Sequence, residues 1–538
     1  LYNIENQRYI FQTVFKVEKM DKIRILWADD EIDLLKPHVL FLKQKGYDVV
    51  TVTNGHDALD ECETQRDFDV VFLDESMPGL TGLETLAKLK ANFPHLPVVM
   101  ITKNEAEHVM ESAIGAQIKD YLIKPVNPNQ ILMTLKRITD KKRLINEKTN
   151  ADYQQNFIEL FNQINAGLNM SEWVDVYKKI ISWELRMDAG NNNEMSEILN
   201  DQKSEANKAF SKYIAKNYVD WLNKNKHNAP LMSHQLMRTK VLPFIGDGIP
   251  TVMLLLDNLR FDQWKVLEPI ITELYRVEEE DYFCSILPAS TQYSRNAIFS
   301  GLMPADIEAR FPDKWLNDSE DGGKNLHEHE FLGDQLKRTM HKPIRFDYVK
   351  ITNVAAAKQL NDNIIRYINN DLSVIVYNFI DMLSHARTEM EVLKELAGDE
   401  TAYRSLTRSW FIHSPIWSAL QRLAEKNIRL IITTDHGTIR VKTPSRVVGD
   451  KETTTNLRYK VGRNLQYDRK DVLEVRDPKT AGLPRPNVSS TYIFAKEDSF
   501  FLYPNNYNYF NNYYKNTFQH GGISLEELIC PVIRLRSK

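Results

Sequence analysis

The chain reads as an α/β protein in three parts: a doubly wound parallel sheet, a helical middle, and a second, larger α/β part. Three observations predict this. The first part, to about residue 140, alternates strand patterns with helix patterns five times. From about 129 to 230 the sequence keeps helical spacing with few breakers, and from about 235 the alternation resumes with apolar strands that end in acids. Strand–helix alternation of this kind argues for parallel sheets with helices on both faces.

Taken in order, the first strands are KIRILWADD, YDVVTVTN, DVVFLDESMPG, PVVMITKN and DYLIKP. The middle holds ILMTLKRITDKKRLINEKTNADYQQNFIELFNQI, MSEWVDVYKKIISWELRM and EMSEILNDQKSEANKAFSKYIAKNYVDWLN, which read as helices joined by polar turns. In the last part PTVMLLLDNLR, SVIVYNFIDM and LIITTDHG read as buried strands. Two stretches interrupt them: residues 304–350, read as polar and loop-rich, and residues 440–518, rich in turn residues and tyrosines. The domain boundaries predicted are residues 1–19 as an N-terminal extension, 20–140, 141–234 and 235–538. The start, LYNIENQRYIFQTVFKVEK, makes a poor signal peptide because no cationic region precedes a long apolar one.

Composition narrows the class. The chain has 538 residues, 42% hydrophobic and 26% charged, with a net charge of −4, so no global charge calls for nucleic acid or membrane. Cys62, Cys284 and Cys530 are too few and too far apart for a disulfide framework or a cysteine-based zinc site, which suits the cytoplasm. No apolar run reaches the length of a membrane span.

In an open α/β sheet the ligand crevice lies beyond the carboxyl ends of the strands. The first strand brings Asp29 and Asp30 there, the third Asp74, the fourth Thr102 and the fifth Lys124. Three converging carboxylates need a cation, and oxygen-rich ligation suits Mg²⁺. An aspartate can itself accept a phosphoryl group as nucleophile. The set, with Tyr121 and Pro125, resembles the receiver domain of response regulators. That resemblance implies phosphorylation of Asp74, one Mg²⁺ held by Asp29, Asp30, Asp74 and the backbone carbonyl of Ser76, and Lys124 paired with the phosphate. It also implies a cis Lys124–Pro125 bond and a switch pair of Thr102 and Tyr121.

A second set of acids and histidines lies in the last 300 or so residues. Asp257 closes VMLLLDN, Asp381 and His385 stand four apart in FIDMLSHAR, Asp435 and His436 stand before Gly437 in IITTDHGTIR, and His520 stands in QHGGIS. Adjacent residues on a straight strand face opposite ways, so Asp435 and His436 can share a ligand only if the chain turns, which Gly437 permits. Mixed oxygen and nitrogen donors suit Zn²⁺. Thr291, after a proline turn and at a predicted helix start, is the candidate nucleophile. This order of residues resembles the alkaline phosphatase superfamily. The resemblance implies two Zn²⁺, one held by Asp257, Asp435 and His436 with Thr291 reaching it, the other by Asp381, His385 and His520. It further implies a covalent phosphothreonine resolved by water. His327 and His329, in HEHE, read as surface residues, and His341 and His413 lack partners.

Between Arg440 and Lys470 nine basic residues stand against three acids. Beside a phosphate-cleaving centre such an excess favours a polyanionic substrate, and Tyr459, Tyr467 and YPNNYNYFNNYY offer faces for stacked bases. A solvated lid with packed tyrosines is the plainer account. The whole from Met20 onward is similar to PorX-type response regulators of Bacteroidetes, whose C-terminal part is a PglZ domain. The fold implied is a flavodoxin-like receiver domain, an α-helical middle domain and an alkaline phosphatase-like α/β domain. The partners implied are a sensor histidine kinase, an extracytoplasmic-function sigma factor and an oligonucleotide or other phosphodiester substrate, with control of type IX secretion and a phosphorylation-dependent homodimer. No helix-turn-helix pattern supports direct promoter binding. The alternative function is that of a non-catalytic adaptor whose PglZ domain docks the sigma factor.

Overall fold

A computed structural model describes residues 23–65, 68–94, 96–103, 118–190, 193–222, 229–389, 398–450 and 453–538. The side chains of 137, 139–151, 154, 189–190, 193–194 and 385–389 are outside the description. The extension predicted over residues 1–19 lies outside it as well. The chain divides into two compact units, residues 1–152 and 153–538.

The first unit is built on β1 (Arg24–Ala28), β2 (Asp48–Val52), β3 (Val70–Asp74), β4 (Val98–Thr102) and β5 (Asp120–Ile123). All pairings are parallel, in the order β2-β1-β3-β4-β5, the flavodoxin-like arrangement. The two-residue period of the strands sorts the core into two layers. Ile25, Trp27, Phe72, Val99 and Ile101 pack with Ile131 and Leu135 on one face, while Leu26, Val71, Leu73 and Met100 pack with Leu86 and Leu89 on the other. The helix Gly82–Asn92 opens with a reciprocal cap between Thr81 and Glu84. A Cβ on Gly82 would lie 2.3 Å from the Asp74 carbonyl oxygen, so glycine lets this helix start against the end of β3. The Lys124–Pro125 bond is cis.

The second unit begins within the helix Pro128–Asn165 and continues through the helices Met170–Gly190 and Asn193–Trp221. Tyr153 against Trp183 and Trp173 against Phe210 fill the space between them. Next come β6 (Thr251–Leu256), β7 (Tyr275–Cys284), β8 (Phe346–Ile351), β9 (Leu372–Tyr377) and β10 (Arg429–Thr433). Smaller sheets then pair β11 (Ile439–Arg440) with β17 (Phe518–Gln519), β12 (Thr443–Arg446) with β16 (Ser499–Leu502), and β13 (Tyr459–Gly462) and β14 (Val472–Val475) with β15 (Thr491–Ala495). With β18 (Ile529–Ser537) the main sheet runs β7-β18-β10-β6-β9-β8. In it β18 alone is antiparallel to its neighbours. β6, β9 and β10 are buried throughout, as continuous apolar runs covered on both faces should be. Their register sets Leu255 beside both Val376 and Thr433, so the carboxyl ends of all three strands fall level.

Residues 304–350 depart from the loop-rich reading. They hold the helices Pro304–Arg310 and Glu328–Thr339 and the strand β8. Phe331, Leu332 and Leu336 recur at helical spacing and are buried, a signal the flanking polar residues diluted. No helix among the described residues is long and apolar enough to cross a membrane. Cys62, Cys284 and Cys530 are buried free thiols.

Candidate active sites

In the first unit the ends of β1 and β3 bring one carboxylate oxygen each from Asp29, Asp30 and Asp74 within 4.8 Å of one another. Lys124 Nζ lies 3.0 Å from Asp29 Oδ2 and 2.8 Å from Asp74 Oδ1. Burial raises the Asp74 pKa, with Asp29 and Asp30 adding to the shift and Lys124 opposing it. One lysine against three acids leaves the cleft short of positive charge, and all donors are hard oxygens, so the cleft fits Mg²⁺. Thr102 is buried and its hydroxyl donates to Glu75, a partner the sequence pattern did not single out. Tyr121 is exposed, and so is Ser76.

In the second unit the level strand ends do the gathering. Asp257 follows β6, Asp435 and His436 follow β10, and Asp381 stands in the first turn of the helix Phe379–Glu389 after β9. Asp257, Asp435 and His436 are buried, and each offers one ligand atom within 4.8 Å of the others. Thr291 is the first residue of the helix Thr291–Ser300; its Oγ1 lies 3.1 Å from His436 Nε2 and 3.4 Å from Asp257 Oδ1.

The atoms not aimed at this point are engaged elsewhere. Asp257 Oδ2 accepts from Arg295 Nη1 at 2.9 Å. Asp435 Oδ1 accepts from the backbone N–H of His436 at 3.1 Å and of Asn258 at 3.3 Å, while its Oδ2 is buried and accepts no hydrogen bond. His436 Nδ1 lies 3.1 Å from the Gly437 carbonyl, which it meets as a donor, leaving Nε2 as the acceptor. A buried carboxylate oxygen with no proton to accept, beside an imidazole nitrogen and a second carboxylate, fits a zinc ion. Burial first, then Asp257, pushes the Asp435 pKa up to about 6, against the pull of His436 and Arg295.

Near this trio His520 Nε2 lies 3.6 Å from Asp381 Oδ1, and the His520 ring stacks on that of His436 with centroids 4.3 Å apart. The backbone of His385 lies in the Phe379–Glu389 helix, one turn after Asp381, but its side chain is outside the description. The structure thus brings together Asp257, Thr291, Asp435 and His436, sets Asp381 and His520 beside them, and leaves the second set incomplete as described.

The chain bends at Asp435, and Asp435 and His436 reach one point, as expected. Gly437 is not left-handed; a Cβ there would lie 2.0 Å from the Glu526 carbonyl oxygen, so what glycine adds is a close backbone approach. The residue that does adopt the left-handed region is Asn258, with φ of 67°, just after Asp257. Its Nδ2 lies 3.2 Å from Ser384 Oγ and 3.5 Å from Asp381 Oδ1. Asn296, the other asparagine near Thr291, instead donates to the Gln292 and Lys324 carbonyls.

The largest omissions from the sequence reading are Arg295 and Glu328, both buried. Arg295 Nε donates to Glu328 Oε1 at 2.7 Å. Helical spacing from Thr291 could have flagged Arg295, four residues on and one turn away. In HEHE the two histidines do stay away from the metal residues: His327 faces Glu330, and exposed His329 stacks on Phe346.

The basic stretch is also less open than its count suggests. Arg458 is buried and bidentate to Glu527, at 3.1 and 2.7 Å. Lys460 is buried under Tyr503, and Arg463 pairs with Asp450. Tyr459 is buried with its hydroxyl on Asp318. Among the described residues, exposed Lys442, Arg446, Arg469 and Lys470 and half-exposed Arg440 remain for a polyanion, together with Tyr509 on the helix Tyr507–Tyr514.

Three family profiles match the chain. They are a response regulator receiver domain over residues 25–136, a PorX response regulator linker domain over 143–222, and a BREX system PglZ alkaline phosphatase-like domain over 236–535. Among curated proteins, the alkaline phosphatase synthesis transcriptional regulatory protein PhoP of Bacillus subtilis is 31% identical over 123 residues, 22% of this chain and 50% of that protein. The alginate biosynthesis transcriptional regulatory protein AlgB of Pseudomonas putida is 37% identical over 117 residues, 21% of this chain and 26% of that protein. The chain thus spans half or less of the length of these relatives. Among solved structures, a receiver domain protein from Methanospirillum hungatei is 26% identical, with 22% of this chain and 96% of that one covered and a TM-score of 0.22. Chemotaxis protein CheY4 of Vibrio cholerae is 28% identical, with 22% and 99% covered and a TM-score of 0.21.

Proposed function

The chain belongs to the PglZ alkaline phosphatase-like family, joined here to a response regulator receiver domain and a PorX-type linker, and from that premise we propose a two-component regulator whose C-terminal domain hydrolyses phosphodiesters. The observation that carries the hydrolase reading is the meeting of Thr291 Oγ1 with the unengaged atoms of Asp257 and His436, beside the free Asp435 oxygen.

Asp257, Asp435 and His436 would hold one zinc ion, and Asp381, His385 and His520 a second. Bound zinc supplies Lewis acidity that favours the Thr291 alkoxide and neutralises phosphoryl oxygens. The chain's own contributions are positional. Thr291 begins its helix, so the helix N-terminus directs backbone N–H groups and a positive dipole end toward an incoming phosphate. Attack by Thr291 Oγ1, whose proton passes to solvent, forms a P–O bond to threonine as the ester bond to one alcohol breaks; water then cleaves the threonine ester, which releases a phosphomonoester that keeps the second alcohol and restores the hydroxyl. Arg440, Lys442 and Arg446, on the segment after His436, favour linear or cyclic oligonucleotides as substrates.

At the other end of the chain Asp74 would accept a phosphoryl group from a sensor histidine kinase, with Mg²⁺ on Asp29, Asp30, Asp74 and the Ser76 carbonyl. Lys124, already on Asp74, would turn to the phosphate, and the Thr102 hydroxyl would leave Glu75 for it, with Tyr121 following. Kinship with PorX-type regulators supports a cytoplasmic protein that dimerises when phosphorylated, acts with an extracytoplasmic-function sigma factor and controls type IX secretion.

The test is Thr291→Ala in the full chain loaded with zinc. Hydrolysis of bis(p-nitrophenyl) phosphate falls by about 10³-fold or more while zinc content is unchanged. Turnover that survives the substitution overturns the nucleophile. A parent protein that holds zinc but cleaves neither this diester nor p-nitrophenyl phosphate points to the adaptor.

A further inference from the structure

Arg295 occupies an unusual place. It is buried, and its guanidinium meets Asp257 Oδ2 at 2.9 Å, Asn378 Oδ1 at 3.3 Å and Glu328 Oε1 at 2.7 Å, with Asp435 Oδ2 at 3.8 Å. Glu328 is buried too. Its Oε2 accepts from the Tyr348 hydroxyl and, at 3.1 Å, from Lys350 Nζ. Tyr348 and Lys350 are two apart on β8, so both side chains project from the same face of that edge strand. Lys350 Nζ also donates to the Asn325 carbonyl at 2.9 Å, and Asn325 Nδ2 donates to the Thr291 carbonyl at 3.1 Å.

Two branches therefore leave one strand. The first runs from Tyr348 and Lys350 through Glu328 and Arg295 to Asp257. The second runs from Lys350 through Asn325 to the backbone of Thr291. We propose that Arg295 and Glu328 form a positioning relay that makes Asp257 a one-oxygen metal ligand and fixes it in register with the nucleophile.

The physical argument is one of occupancy and charge. A free carboxylate can bind a metal through both oxygens, and its torsion is soft. With Oδ2 held by the rigid guanidinium fork, only Oδ1 is left for the metal, and it already points at Thr291 and His436. Glu328 keeps the fork from rotating: Nε is committed to Glu328, so Nη1 is left to face Asp257. Glu328, shared between Arg295 and Lys350, offsets part of their positive charge, so the relay orients the ligand with less repulsion of the incoming cation than an arginine alone at this distance would exert.

The proposal rests on the reading of Asp257, Asp435 and His436 as a zinc site, and its test separates the two. The variants are Arg295→Met/Glu328→Met, which removes both charges together, and Glu328→Gln, which preserves volume if the double variant does not fold. The full chain is measured by thermal melting without metal, by zinc affinity in competition with a chromogenic chelator, and by the kcat and KM for bis(p-nitrophenyl) phosphate. The variants are expected to melt as cooperatively as the parent. The zinc Kd rises about 10–100-fold in the double variant and by about tenfold in Glu328→Gln, the range for lost outer-shell support. At saturating zinc the loss falls on kcat rather than KM. Parent-like zinc affinity in either folded variant overturns the relay and leaves the zinc site standing. A parent chain that binds no zinc overturns both.

Discussion

The two acid clusters of this chain face the same electrostatic problem and are built to opposite solutions. In the receiver cleft the counter-cation is Lys124, a single point charge 12% exposed, shared between Asp29 and Asp74, while Asp30 stays open to solvent. In the PglZ cleft it is Arg295, 1% exposed and held by Asp257 and Glu328 at once. A lysine ammonium on a flexible stem can leave its carboxylate for a phosphate; a buried, forked guanidinium cannot do so cheaply. The first arrangement suits a charge that arrives and departs with each signal, the second a site set up for a resident cation.

Neutralising one acid in each cleft gives the largest effects and separates these roles. Asp74→Asn abolishes acid-labile phosphate incorporation from acetyl phosphate, read by phosphate-affinity electrophoresis, and leaves zinc binding intact. Asp435→Asn weakens zinc binding by more than about 100-fold, beyond the loss of an outer-shell partner. It also acts on the metal-free protein in the opposite sense. Asp435 has a folded-state pKa raised to about 6, so its ionised form costs stability above that pH. Removing the charge stabilises the metal-free chain by about 1–3 kcal/mol at pH 7–8, and the gain fades as pH falls through 6 toward the ordinary carboxylate range. Calorimetry with and without zinc reads both signs. Loss of stability without metal would mean that Asp435 is a structural acid.

Much of this contrast could be read from strand ends. Asp29, Asp74, Asp257 and Asp435 each follow an apolar run, and strand-end acids in a parallel sheet fall in one crevice whatever the loops do. Thr291 could be placed because a proline turn ran into helical spacing. Arg295 stands one helical turn after Thr291, which marks it as a neighbour, but its role and that of Glu328 were not legible, since their partners lie 33 and 20 residues or more away in sequence and neither sits at a strand end. Glu328 was further masked by the histidines on either side of it. The basic run after His436 was legible as charge but not as exposure: Arg458 and Lys460 point inward because β13 pairs with β15 in a small sheet that the turn-rich sequence concealed.

The lysine solution is tested next. Lys124→Ala leaves Asp29, Asp30 and Asp74 with no counter-charge among them. The metal-free receiver is expected to lose about 1–3 kcal/mol in urea unfolding, and millimolar Mg²⁺ to restore most of it by binding the freed oxygens. The corresponding loss at Arg295 is restored by zinc only at concentrations about 10–100-fold above those that stabilise the parent, if the relay positions Asp257. Restoration at the parent's zinc concentration would erase the distinction between the two clefts.

Lys460 offers the smallest effect and a third case, a buried cation held without a carboxylate. Its Nζ donates to the Thr454 carbonyl at 2.8 Å and lies 4.8 Å above the Tyr503 ring, and burial pulls its pKa down to about 7. The folded-state value is below the unfolded one, so the unfolded chain binds the extra proton between about pH 7 and the ordinary lysine range, and stability rises with pH across that window. Lys460→Met removes this dependence. Its advantage is greatest below pH 7, where the parent must bury a full charge, and shrinks toward pH 10. The lost hydrogen bond and cation–π contact reduce the net gain to about 1–2 kcal/mol. Urea unfolding of parent and variant at pH 6.5 and 9.5 measures the difference. A gain equal at both values would mean that the amine is charged throughout, and that acids are not needed to hold a cation in this interior.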